Sequence, residues 1–216
     1  GFLIKHHVFI ADILVSMLSI LSVIFIFLIC KELYNIKTGF IAALLMAFNP
    51  FLVQNSNFIM TDVPALSLVA VSIYFLILAR LRNKDNLYFI SGMFFSLAIL
   101  MKFTSLILLL ALPIYFKLYK VDFKKILKFS LGFLIIMLPY LILAQIKYGF
   151  FLKPFIKAQA QVGDLNEPIY FYLINFIDVF KIVISIGFLL WVIFVLFQKY
   201  NNKTISNDEK VFFLWI

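Results

Sequence analysis

Leu87-Tyr-Phe-Ile-Ser-Gly-Met-Phe-Phe-Ser-Leu-Ala-Ile-Leu-Met101, then Lys102, then Phe103-Thr-Ser-Leu-Ile-Leu-Leu-Leu-Ala-Leu-Pro-Ile-Tyr-Phe116: the topology turns on the lysine inside this stretch. Each flank is apolar, and each is shorter than the roughly 20 residues of a typical membrane-spanning helix. A helix of about 15 residues reaches only about 22 Å, so flanking polar residues or a locally thinned bilayer must complete it. One continuous helix would leave Lys102 in mid-bilayer at considerable cost. A tight hairpin brings it to the boundary, and it is the expected reading. The choice matters, because without a turn here every later loop would change sides.

The rest of the chain has the same character. Hydrophobic residues make up 65% of the 216 positions and charged residues 13%, with 28 Phe and 10 Tyr. Soluble domains keep about a quarter of their residues charged, so these proportions place the chain in a membrane. Apolar runs occupy 8–30, 40–53, 64–79, 87–101, 103–116, 126–144 and 171–197, and another starts at 211. The expectation is all-α: a polytopic transmembrane bundle of about seven helices plus the start of another, forming one domain over 1–216. Gly1 is not an initiator, the first run is too long for a cleavable signal peptide, and Trp215-Ile216 falls inside an apolar segment. The sequence therefore reads as a piece truncated at both ends.

The net charge of +9 does not signal nucleic acid, because the basic residues sit in short clusters between apolar runs rather than along one stripe. Lys31 and Lys37, then Arg80, Arg82 and Lys84, then Lys117, Lys120, Lys124, Lys125 and Lys128, then Lys199, Lys203 and Lys210 fall on one side of the expected topology. Lys5, Lys102, Lys147, Lys153 and Lys157 fall on the other, and Lys181 lies within a run. The positive-inside rule makes the lysine-dense side cytoplasmic. The sequon Asn202-Lys203-Thr204 then lies inside, where such acceptors are not modified. Cys30 alone forms neither an intrachain disulfide nor a zinc site and reads as a small buried hydrophobe.

Chemistry is left to three polar segments on the outer face. In Asn57-Phe-Ile-Met-Thr-Asp62-Val-Pro64, Thr61 or Asp62 suits the N-cap of the helix that Pro64 helps to open. The functional reading makes Asp62 a carboxylate for a metal ion or polar substrate at the boundary. Lys102, with Thr104 beside it, either snorkels to lipid headgroups or neutralises the phosphate of a lipid-linked donor. The loop 145–170 carries Tyr148, Asp164, Glu167 and Tyr170 among amides and amines, an inventory suited to gripping carbohydrate. Its portion 150–160 also reads as an interfacial helix, with Phe150, Phe151 and Phe155 dipping into lipid.

Other polar residues have plainer readings. His6 and His7, just outside the first run, point in different directions if helical and do not suit one metal site. Asp12 is costly inside a span and should face protein. Asp178 and Lys181 are spaced to neutralise each other. No Gly-rich phosphate loop, HExxH, CxxC or GxSxG occurs.

Gly39-Phe-Ile-Ala-Ala-Leu-Leu-Met-Ala-Phe-Asn-Pro50, the Asp62 segment and Gly92-Met-Phe-Phe-Ser-Leu-Ala-Ile-Leu-Met-Lys102-Phe-Thr104 occur in this order. Tyr148-Gly-Phe-Phe-Leu-Lys-Pro154 and Pro168-Ile-Tyr170-Phe-Tyr172 follow. Together they resemble the C-type glycosyltransferase superfamily over about residues 8–197. More narrowly, the likeness is to the branch of dolichyl-phosphate-mannose protein mannosyltransferases and lipid A aminoarabinose transferases. It implies a polyprenyl- or dolichyl-phosphate sugar as donor in a multi-pass protein of the cell membrane, with an acceptor protein, lipid or glycan. A carboxylate of the first outer loop deprotonates the acceptor, which attacks the anomeric carbon with inversion, while cations, sometimes with a divalent metal, stabilise the leaving phosphate.

Asp62 matches the family's second-loop acidic residue and Lys102 its lysine, while Asn57, Thr104, Tyr148, Asp164, Glu167 and Tyr170 are candidate substrate contacts. The first helix and first loop, with the main base, are expected upstream of Gly1, which makes this piece inactive by itself. The family's usual Arg at the first-helix start is here Ala11-Asp12, and its Gly-Leu-Ala is Ser96-Leu-Ala. A multi-pass transporter and a non-catalytic membrane subunit are the competing readings. A transporter would concentrate charged or broken sites at the midplane, whereas here the polar weight lies in loops.

Overall fold

The computed structural model of the chain describes residues 2–56 and 60–162. Among these, all regular structure is helical. The helices are α1 (Phe2–Leu33), α2 (Ile36–Ala47), α3 (Pro50–Ser56), α4 (Asp62–Leu81) and α5 (Asp85–Met101). A 3-10 segment (Phe103–Leu110) runs directly into α6 (Ala111–Leu118), followed by α7 (Phe123–Tyr148) and α8 (Lys153–Val162). The chain divides into two compact units, Gly1–Phe151 and Leu152–Ile216, and α8 is the described part of the second. The runs expected at 171–197 and from 211, and the Asp178–Lys181 pair, lie outside the described residues.

Six of the expected runs appear as helices, with shifted boundaries. Three helical stretches, Ile10–Leu33, Asp62–Leu81 and Phe123–Tyr148, are long and apolar enough to cross a bilayer unaided. The first helix takes in His6 and His7 rather than starting after them. The run 40–53 splits in two. Asn49 caps the second piece by accepting from the Leu52 N–H at 3.3 Å, and Pro50, whose fixed φ suits a first helical position, opens it. Asn35 likewise caps α2 by accepting from the Thr38 N–H at 2.9 Å.

α4 is the hub of the first unit and is buried on nearly every side, from Val63 and Pro64 to Ala79. Its neighbours report their directions. Val15 of α1 packs with Val63 near the start of α4, the Phe25 ring meets Tyr74 at 5.3 Å, and Arg82 beyond its end reaches Glu32 at 3.7 Å. α1 and α4 are therefore parallel and pack directly on each other, while α2 packs on α1. α5 starts where α4 stops and climbs back, so that Lys102, just past its end, meets Asp62 at the start of α4.

The next 16 residues descend again. Tyr115 donates from its hydroxyl to the Leu76 carbonyl at 3.5 Å, and Arg80 lies 3.9 Å over the Tyr119 ring. The stretch that begins at one end of α4 thus finishes at the other, which is the hairpin expected around Lys102. The turn is a single extended residue, Lys102 at φ −145° and ψ 112°. The 3-10 geometry helps the short arm to span: at about 2.0 Å per residue against 1.5 Å for an α-helix, residues 103–118 reach roughly 28 Å.

α7 then rises parallel to α5, with Lys128 bonded to Asp85 at 3.2 Å and the Phe95 ring 6.1 Å from that of Phe129. Gly92 and Gly132 let these two backbones approach. A Cβ on Gly92 would collide with the Phe129 carbonyl oxygen and lie 2.9 Å from the Phe133 nitrogen; one on Gly132 would strike the Phe89 carbonyl. Small residues at such contacts are how membrane helices pack closely where lipid is as apolar as leucine. The outward face of α7, including Leu131, Ile135, Leu138 and Ile142, is exposed, as a lipid-covered surface requires.

Two serines inside apolar runs form a polar clasp between α4 and α5. Ser72 donates to the Ser91 carbonyl at 2.9 Å, Ser91 to the Ser72 carbonyl at 2.8 Å, and both are buried. Each bond satisfies a hydroxyl that lipid could not. In a double-mutant cycle, Ser72→Ala and Ser91→Ala are expected to show about 0.6 kcal/mol of coupling, read from thermal denaturation in detergent. Ser96, also fully buried, has no hydrogen-bond partner for its hydroxyl among the described residues.

Candidate active site

Asp62 is the first residue of α4, and Lys102 is the residue on which α5 ends. The two helices run antiparallel, so the positive N-terminal end of one dipole lies beside the negative C-terminal end of the other. A carboxylate at the first and an ammonium at the second are each favoured by the nearby helix end. The Lys102 ammonium donates to Asp62 Oδ1 in a close ion pair across 40 residues of sequence.

Asp62 therefore does not cap its helix. Thr61 holds the N-cap position, one of the two expected, but in αR geometry and without a side-chain cap hydrogen bond, and the Asp62 carboxylate turns to Lys102 instead. The reason is competition: the ammonium is a stronger partner for the carboxylate than a backbone N–H is.

Both side chains are about one-third exposed, 35% for Lys102 and 31% for Asp62. A pair this open contributes about 0–1 kcal/mol to stability, which is too little to explain placing two charges beside an apolar core. As chemistry the arrangement is more informative. An ammonium has three donors, and one is committed to Asp62. The others, held in place by that bond, can meet an anionic group. Val63, next to Asp62 in sequence, packs with Val15 and Leu52, and Ser16 donates to the Ser56 carbonyl at 3.4 Å, tying α1 to α3.

Of the other expected contacts, Thr104 is exposed in the first turn of the 3-10 segment, two residues beyond Lys102. Tyr148 closes α7 at the same end of the bundle, with the Lys147 ammonium 5.6 Å from its ring centroid. Gly149 then ends that helix at φ 72°, its N–H bonded to the Gln145 carbonyl at 2.9 Å. Asn57, Asp164, Glu167 and Tyr170 lie outside the described residues. Phe150 and Phe151 are exposed as a lipid-dipping segment should be, but Phe155 of α8 is buried. Among the described residues no group of three His, Cys, Asp or Glu could hold a metal ion, and the one carboxylate at the pair is occupied by Lys102.

The sequence reading missed the serines. Ser72 and Ser91 carried a signal, since a hydroxyl inside an apolar run needs a partner, but nothing in the sequence paired them with each other. No curated protein and no solved structure matches the chain. A family model, dolichyl-phosphate-mannose-protein mannosyltransferase, matches residues 2–145. That span contains Asp62, Lys102, α1 to α6 and all but the last three residues of α7. On this match the chain belongs to the dolichyl-phosphate-mannose-protein mannosyltransferase family, membrane glycosyltransferases of the C type.

Proposed function

We propose that the Asp62–Lys102 pair forms part of the site at which a glycosyltransferase receives the phosphate of a polyprenyl- or dolichyl-phosphate sugar, on the outer face of the cell membrane. The observation carrying this is that the acidic residue and the lysine that match the family pattern, 40 positions apart, meet at one end of the bundle.

In this reading the acceptor hydroxyl attacks the anomeric carbon. The bond from that carbon to the phosphate oxygen breaks, and its electron pair leaves with the phosphate. Lys102 faces the charge that grows on the departing oxygen, a role in which a preorganised cation is most effective. Asp62 positions the ammonium. The proton of the acceptor goes to a base other than Asp62, because Asp62 is already engaged. The lysine-dense end, with Lys117, Lys120 and Lys124, then faces the cytoplasm.

The test is transfer itself. Full-length protein reconstituted with a radiolabelled polyprenyl-phosphate sugar and a membrane extract as acceptor source should move label from the donor into acceptor. Donor that crosses the bilayer intact without its label being transferred would point to a transporter and sink the proposal.

A further inference from the structure

The end of the bundle opposite Asp62 holds more positive charge than its own carboxylates absorb. Its described acidic side chains are each engaged: Glu32 by Arg82 at 3.7 Å, Asp85 by Lys128 at 3.2 Å and Asp122 by Lys125 at 3.3 Å. Six lysines remain, all exposed and without a partner among the described residues: Lys31 and Lys37 at the turn from α1 to α2, and a second group of four, Lys84, Lys117, Lys120 and Lys124.

These four belong to two adjoining turns. Lys125 donates to Asn83 at 2.7 Å and Arg80 stacks on Tyr119, which draws the turn after α4 against the turn between α6 and α7. Asn83 and Lys120 both take left-handed backbone conformations, φ 49° and 48°, so both turns are tight. Around the lysines stand exposed apolar side chains, Leu81, Ile114, Phe123 and Leu127. A partner for this surface must offer negative charge and hydrocarbon together. Free phosphate offers only the first.

The geometry points to a binding surface for anionic phospholipid headgroups formed by Lys84, Lys117, Lys120 and Lys124, with acyl chains against the flanking apolar residues. It rests on the bundle spanning a membrane and is independent of glycosyl transfer. A lysine beside an anionic leaflet strengthens attraction by roughly fivefold, and the effect fades with salt.

Native mass spectrometry of the purified full-length protein, titrated with phosphatidylglycerol or phosphatidylcholine, tests the surface. The wild type should retain phosphatidylglycerol preferentially. The preference should fall by at least about tenfold in the K84Q/K117Q/K120Q/K124Q variant and persist in K147Q, at the other end. The corresponding quadruple arginine variant should keep it, which separates charge from folding. Equal retention of the two lipids by the wild type, unchanged preference in the quadruple glutamine variant, or displacement by inorganic phosphate beyond that by chloride at matched ionic strength would each overturn the assignment.

Discussion

Lys102→Met in the full-length protein is expected to lower transfer from the lipid-phosphate donor by roughly 10²–10³-fold, the range seen when a preorganised charge-stabilising group is removed. Thermal stability should hardly move, because a pair one-third exposed on each side contributes about 0–1 kcal/mol. Asp62→Asn leaves the ammonium present but unheld, and its loss should be smaller, about tenfold or somewhat more, since a misplaced group still carries charge. The exchanged pair, Asp62→Lys with Lys102→Asp, should keep the attraction but lose about 1 kcal/mol or more, because each charge now faces the unfavourable helix end, and transfer stays low because the cation moves from one helix end to the other. Initial rates and melting temperature, measured on the same preparations, separate these cases. Unchanged transfer in Lys102→Met would remove the pair from the mechanism.

Gly92→Leu and Gly132→Leu should be the most damaging changes to the fold. Each introduces a side chain where even a Cβ collides with the backbone of the partner helix, and backbone cannot rotate aside as a flexible side chain can. Overpacking in cores costs about 1–3 kcal/mol and occasionally more; with backbone as the obstacle, about 3 kcal/mol or more is expected. The readout is loss of the monodisperse peak on size exclusion in detergent. Gly149→Asn is the control: a Cβ there meets nothing within 4 Å, and asparagine tolerates its left-handed φ of 72°. A monodisperse, fully stable Gly92→Leu protein would show that α5 and α7 do not pack as closely as described.

The order and direction of the helices were legible in the sequence because lysines and apolar runs report position in a bilayer directly. Lys102 was decisive, since its charge forbade a long helix. The break of 40–53 was harder to place: Asn49-Pro50 is a sound helix start, but it lies inside an otherwise unbroken apolar run. The helical form of 103–118 was illegible, as 3-10 and α geometry accept the same leucines. At the site, Asp62 and Lys102 could each be singled out, yet their bond depends on α4 and α5 lying antiparallel at matched length. Thr61 does hold the N-cap position but makes no side-chain cap bond, and Pro64, at the third helical position, has no N–H for it to accept.

The parallel contact of α5 with α7 also has a consequence for biogenesis. Ribosomes add roughly 5–20 residues per second, so α5 leaves the ribosome seconds before α7 is complete. Through that interval the groove beside Gly92 has no helix to fill it. The mutual serine bonds to α4, already synthesised, give α5 an earlier partner, and the last helix of the first unit arrives at a face already fixed in register.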